Sequence, residues 1–239
     1  MSRHRVLIVT AVEAERAAVL AGLGRLGGSQ ARRLGRPAGP VDEELVDDTR
    51  FVVDAVGVGV AAAAARSAAA LLLARSAGRP FHAVVSAGIA GGFAGRADVG
   101  STVLATRSVA ADVGAESPDG FLSLATLGFG QSTMDVDKDL LTQLRSALPA
   151  AVVGDVLTVA TVTGTAEGAA TILARWPGAV AEAMEGFGVA TAAAQEGVAF
   201  AELRTISNPV GPRDRASWRI RDALAALTQA APALGSLAR

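Results

Sequence analysis

Short aliphatic runs separated by alanine-rich stretches of helical length recur along this chain, and that alternation restricts the fold more than any other feature. Residues 6–9 (V-L-I-V) read as a buried strand and 13–20 as a helix turning away from it. Next come a strand over 50–56, a long helix over 60–77 and a third strand over 81–85. A longer strand pattern covers 101–112, a loop 117–133, a helix 135–148 that Pro149 closes, and a run of valines and threonines 152–163. Residues 179–184, 185–196 and 198–206 then read as strand, helix and strand. The last helix, 219–231, carries Ile220, Leu224, Leu227 and Ala231 at helical spacing before Pro232 interrupts it. This order implies α/β architecture: one three-layer α/β/α domain with a central mixed sheet over residues 1–239.

Composition removes several classes of function. With 51% apolar residues and 239 positions the chain can bury a large core. A net charge of -1 gives no electrostatic case for nucleic acid or a membrane surface. There is no cysteine, and His4 and His82 are far apart, so neither a disulfide framework nor a metal site is expected. The apolar run after M-S-R-H is too short for a secretory segment, and Arg66 and Ser67 interrupt the alanine-rich run 58–74. The expectation is a cytoplasmic enzyme acting on a small molecule without a cofactor.

Local signals raise further alternatives. Thr10 is placed to cap the first helix, whose first turn holds Glu13 and Glu15, where the helix dipole favours acids. Residues 22–40, with Arg25, Arg32, Arg33 and Arg36 among glycines and prolines, read as an irregular connection, and 41–48 as an acidic edge strand or loop. G-x-G-x-x-A at 57–62 follows a strand, as in dinucleotide-binding proteins. The acid needed to hold a ribose is missing at the end of the next strand, however, where S-A-G-I-A-G-G stands instead. Close packing of helix on strand explains those glycines as well.

The stretch 179–215 carries the most chemistry. Glu185 stands where a strand gives way to a helix, and Arg204 lies in an otherwise apolar strand with Ser207 and Asn208 at its carboxyl end. In open α/β sheets ligands bind in the crevice at such strand ends. A buried guanidinium requires a carboxylate, so an ion pair of Arg204 with Glu185 or Glu196 is an equally good reading of the residues alone.

M-E-G-x-x-V-A from Met184 followed by R-x-I-S-N from Arg204 resembles the signature of the nucleoside phosphorylase and nucleosidase family. V-L-I-V-T-A-V-E-A-E, S-A-G-I-A-G-G-F and A-D-V-G-A-E fall in the order that family shows. The resemblance implies that Glu15 activates water, Glu185 binds the ribose hydroxyls, Asn208 holds the base and Arg204 orients Glu15 or the water. It also places Ala90, Gly91, Ala166, Met184, Ser207 and Arg213 against the substrate. Phosphorylases of the family carry a serine where this chain has Ile89, and their arginine loop after the first strand is missing, so water rather than phosphate is expected as nucleophile. The run I-S-N-P-V-G-P-R-D-R with Trp218 is most similar to a branch that releases hypoxanthine from a nucleoside bearing an aryl carboxylate beyond the ribose 5′ position. Arg213 and Arg215 beside Trp218 would suit that group, although Arg213 and Asp214 could equally pair on the surface.

An amide at Asn208 donates to O6 or N7 of a 6-oxopurine, where relatives acting on 6-aminopurines use aspartate. Glu167 stands where related nucleosidases carry the aromatic that stacks on the base, leaving Phe187, Phe93 and Trp218 as candidates. The resemblance also implies a homodimer or higher homo-oligomer. Three alternatives remain: a purine nucleoside phosphorylase, a methylthioadenosine-type nucleosidase, and a nucleoside-binding protein that has lost catalysis.

Overall fold

The structure is a computed structural model that describes residues 4–24, 31–33 and 50–238. Arg25, Arg36 and the acidic segment 41–48 lie outside the described residues. Eleven strands and seven α-helices follow in the order β1 (Val6–Thr10), α1 (Glu13–Gly24), β2 (Ala31–Arg33), β3 (Phe51–Ala55), α2 (Val60–Ser76), β4 (Ala83–Gly92), β5 (Thr102–Ala110), β6 (Gly114–Ser117), β7 (Gly120–Ser123), α3 (Leu124–Leu127), β8 (Thr133–Asp135), α4 (Lys138–Ala147), β9 (Val152–Thr158), α5 (Ala166–Arg175), β10 (Ala179–Ala183), α6 (Gly186–Glu196), β11 (Ala199–Pro209) and α7 (Ile220–Ala230) among the described residues. A 3-10 helix, Ala231–Ala238, ends the described chain.

Nine strands form one mixed sheet in the order β10-β9-β5-β11-β4-β1-β3-β2, with β8 on β5; β6 and β7 make a separate hairpin. β10 also meets β4 antiparallel, with Glu182 opposite Gly91. The strands β4, β11, β5, β9 and β10 therefore close a ring, and only the β1–β3–β2 side remains open. β1 and β4 are almost wholly buried, and their aliphatic side chains join those of β5 and β11 in the main core. Helices α1, α4 and α7 pack with Ala231–Ala238, while α2 packs on α6, giving the helix–sheet–helix layering that the alternation of runs implies. Among the described residues no helix is long and apolar enough to cross a membrane.

Several boundaries differ from the expected ones for identifiable reasons. The strand expected over 81–85 runs through the glycine-rich segment to Gly92, because β11 pairs with β4 along that whole length and supplies the hydrogen bonds. Helix α4 starts at Lys138 rather than 135: Asp137 is its cap, accepting from the N–H groups of Asp139 and Leu140 at 2.9 and 3.0 Å. The run 152–163 stops being strand at Thr158, and the expected loop 117–133 contains β7 and α3. Thr10 does not cap α1; its hydroxyl faces the carbonyl oxygens of Val12 and Asp54, both at 3.4 Å.

Candidate active site

Glu15, in the first turn of α1, closes the helix start from inside. Its carboxylate turns back to accept from the N–H groups of Ala11 at 2.9 Å and Val12 at 3.2 Å with Oε2. With Oε1 it accepts from Ile89 N–H of β4 at 2.8 Å. Orphan donors at a helix start thus hold an acid at the carboxyl ends of β1 and β4. Glu15 is buried, and burial pushes its carboxyl above the ordinary glutamate value; the Ile89 N–H and the charge of Arg204 oppose that shift. Glu13, its exposed neighbour, pairs with Arg16 at 2.9 Å.

Glu185 joins β10 to α6 and reaches a second helix start. Gly57 and Gly59 both have positive φ, +99° and +97°, a turn that a side chain would strain. Gly59 precedes α2 and donates its N–H to Oε1 of Glu185 at 3.1 Å. The G-x-G turn that resembles a phosphate cradle therefore holds the protein's own carboxylate.

Arg204 ties the two acids together from within β11, where it is 1% exposed. Its Nη1 lies 3.6 Å from Oε2 of Glu185, and its Nη2 donates to Ser86 Oγ at 2.8 Å. A Cβ on Gly88 would meet Oε1 of Glu15 at 2.5 Å and Nη1 of Arg204 at 3.0 Å, so acid and guanidinium both press on bare β4 backbone. The main partner of Arg204 is neither Glu185 nor Glu196. Glu202, two residues earlier on the same face of β11, accepts from Nε at 2.9 Å. Glu196 pairs instead with Arg75 at 2.7 Å. Burial alone would lower the Arg204 pKa, but Glu202, Glu185 and Glu15 outweigh it and keep the guanidinium charged.

Beyond Arg204 the register of β11 on β4 slips. Ile206 lies opposite Ala90, yet Asn208 lies opposite Gly91, so Ser207 is the extra residue of a bulge. Buried Ser207 donates at 3.2 Å to the carbonyl of Ala90 and at 2.7 Å to Oδ1 of Asn208. The half-buried Asn208 donates its Nδ2 to the carbonyl of Pro209 at 3.0 Å, and a Cβ on Gly91 would lie 3.3 Å from that nitrogen. Ala90, Gly91, Ser207 and Asn208 thus form one patch.

The remaining expected contacts divide. Met184, half-buried, adjoins Glu185 and gives its N–H to Oε2 of that residue at 3.3 Å. Ala166 is exposed at the start of α5, in the same loop cluster as Arg213, whose N–H donates to Gly164 O at 3.1 Å. No pairing of Arg213 with Asp214 is present among the described residues: Asp214 caps the following 3-10 turn, and the guanidiniums of Arg213 and Arg215 lie 5.2 and 5.7 Å from the ring centre of Trp218. Phe93 is 1% exposed inside a cluster with Val109, Leu157 and Val210, which removes it from the stacking candidates. Phe187, half-buried in the first turn of α6, and Trp218 remain. Four buried acids escape sequence reasoning: Asp54, Asp155, Glu202 and Glu182, the last accepting from the N–H and hydroxyl of Thr163. The E-L-R alternation in β11 was the available signal for Glu202. Among the described residues no group of three or more His, Cys, Asp and Glu is placed to hold a metal ion.

Comparison with known proteins agrees with this architecture. A futalosine hydrolase of Streptomyces coelicolor is 52% identical over 225 residues, covering 94% of this chain and 92% of that one. A futalosine hydrolase of Acidothermus cellulolyticus is 46% identical, over 96% of this chain and 90% of its own. The crystal structure of a 5′-methylthioadenosine/S-adenosylhomocysteine nucleosidase from Colwellia psychrerythraea in complex with adenine superposes with a TM-score of 0.76 at 23% identity, covering 98% of this chain and 96% of that one, a likeness of fold. The family model of the phosphorylase superfamily matches residues 5–239, and this chain belongs to that superfamily.

Proposed function

We propose that this chain hydrolyses the N-glycosidic bond of futalosine, releasing hypoxanthine and dehypoxanthine futalosine on the futalosine route to menaquinone. The observation that carries the reading is one buried guanidinium that pairs with Glu185 at 3.6 Å and acts on Glu15 through its charge, with the amide of Asn208 on the adjoining patch. Relatives named for this activity match over nearly the whole chain.

In this reading Glu185 binds the 2′ and 3′ hydroxyls of the ribose, and its charge stabilises the oxocarbenium-like sugar as the bond from C1′ to N9 breaks. Glu15 takes a proton from the attacking water, whose oxygen joins C1′. Arg204 holds both acids in place. Asn208 donates to O6 or N7 of the departing base, which leaves as a hydrogen-bonded anion and takes its proton from water. Ala90, Gly91, Met184 and Ser207 line the cleft around base and sugar, with Ala166 at its rim. The 239 residues act as one domain, in the cytoplasm, as a homo-oligomer.

Phosphorolysis finds no support at β4: the Ile89 N–H already binds Glu15, and its side chain has no donor to offer an oxyanion. A methylthioadenosine-type nucleosidase shares the fold, but an amide at Asn208 suits a 6-oxopurine better than a 6-aminopurine. Incubation with futalosine, inosine and methylthioadenosine, with and without phosphate, followed by identification of the released base, separates these readings. Phosphate-independent release of hypoxanthine from futalosine is the expected result.

Arg213, stacked on Trp218 at the mouth, is the proposed cation for the benzoate of futalosine. Arg213→Ala should raise KM for futalosine about tenfold, the size of one charge-assisted hydrogen bond. KM for inosine, which has no carboxylate, should stay as it is. Equal KM values for futalosine in the two proteins would remove Arg213 from the pocket.

A further inference from the structure

Glu202 is the one acid of the Arg204 cluster that no step above uses. It is 1% exposed and gives Oε1 to Arg204 Nε at 2.9 Å, while Oε2, beside Ser108 of β5, has no well-formed hydrogen bond among the described residues. Space for it exists because residue 186 lacks a side chain: a Cβ there would stand 2.3 to 2.5 Å from the carboxylate. A partly unsatisfied buried carboxylate is an expensive feature for a core to retain. Its geometry gives it a task. A guanidinium has a fixed fork of donors; with Nε on Glu202 and Nη2 on Ser86, Nη1 is left for Glu185 and lies beside Glu15.

We propose that Glu202 is a positioning residue for the reaction, anchoring Arg204 through Nε so that its remaining face is shared between Glu15 and Glu185 instead of closing on either one. The groups facing this guanidinium are Glu15 from α1, Glu185 from the β10–α6 junction, Ser86 from β4 and Glu202 itself. Without Glu202 the guanidinium turns toward the catalytic acids, pairs more tightly with Glu15 and makes it a poorer base.

The inference rests on the nucleosidase reading, and its test separates the two. Glu202→Ala and Glu202→Gln are compared with the wild type for kcat and KM on futalosine, for the acid limb of kcat/KM against pH, and for exchange protection of the Arg204 Nε–H by NMR. For the alanine variant kcat should fall on the order of 10- to 100-fold with KM nearly unchanged, as for a small misplacement of catalytic groups. Its acid limb should move to lower pH, since the released guanidinium pairs more tightly with Glu15, and the Nε–H should lose protection. Glutamine, which keeps an oxygen for Nε, should fall between and carries the test if the alanine variant does not fold. Gly186→Ala, a change that helix propensity favours, should lower kcat in the same way by displacing the carboxylate. A merely structural role would lower thermal stability and leave the acid limb where it is. An unmoved acid limb together with an unaltered Nε–H signal in both Glu202 variants overturns the proposal. Should the wild type release no hypoxanthine from futalosine, the proposed function fails, and the Nε–H comparison still decides the anchoring role.

Discussion

Glu15→Gln should release hypoxanthine from futalosine about 10²- to 10⁴-fold more slowly than the wild type, with KM little altered, because the variant keeps the shape of the site and loses its proton acceptor. Glutamine also carries a penalty of its own. Oε1 of Glu15 accepts from Ile89 N–H and Oε2 from two N–H groups of the α1 start, so whichever position becomes NH2 faces a donor. A loss of about 1–3 kcal/mol in stability should accompany the loss of rate, and thermal unfolding reads it separately. The wild-type pH profile tests the same residue. Because burial raises the Glu15 carboxyl, and the ionised form is the one that works, kcat/KM should fall with decreasing pH already above the ordinary glutamate range. A profile flat down to that range would mean that the base is another group.

Asn208→Asp should exchange the base preference. The new carboxyl keeps the Ser207 hydroxyl on one oxygen and turns the other toward the Pro209 carbonyl, where the amide now donates. A charged oxygen beside the Pro209 carbonyl is disfavoured, so the acid is held protonated, and when the base binds its O–H turns from that carbonyl to N7 while the other oxygen accepts from the 6-amino group. Since a mismatched base leaves buried polar groups unpaired, the ratio of kcat/KM for the 6-oxo over the 6-amino nucleoside should drop by about 10²-fold or more. Measured on futalosine and its 6-amino analogue, a ratio equal to that of the wild type would take Asn208 out of base recognition.

How far the sequence could be read depended on whether the partner was near in the chain. The nearness of Glu185 to Arg204 follows from a strand–helix–strand unit that brings polar residues to one end: Oε2 of Glu185 lies 3.6 Å from Nη1 of Arg204, and Asn208 follows on the same strand. The G-x-G turn was legible as an anion-binding device, but its anion, Glu185, lies 126 residues further on, and no local pattern announces that. Glu202 shows a different limit. An acid two residues before a buried arginine falls on the same face of a strand, but the helix-end acids Glu185 and Glu196 are equally plausible partners by charge alone. The expected strand 81–85 stops short of the glycine-rich segment 86–93 because glycine disfavours strands. In place, it is a central strand whose neighbours impose the conformation. The ring closed by β10 against β4 has no signature in either strand alone.

One extra residue in β11 decides which face of the sheet Asn208 occupies. Had the strand continued past Ile206 in step with β4, Asn208 would have met Gly92 rather than Gly91. Its amide would then have been carried to the opposite surface of the sheet. Under the proposed function, selectivity for a purine is written as much in how many backbone units are counted out between arginine and asparagine as in which side chains they are, and a redesign that straightens the strand should erase it without touching a polar group.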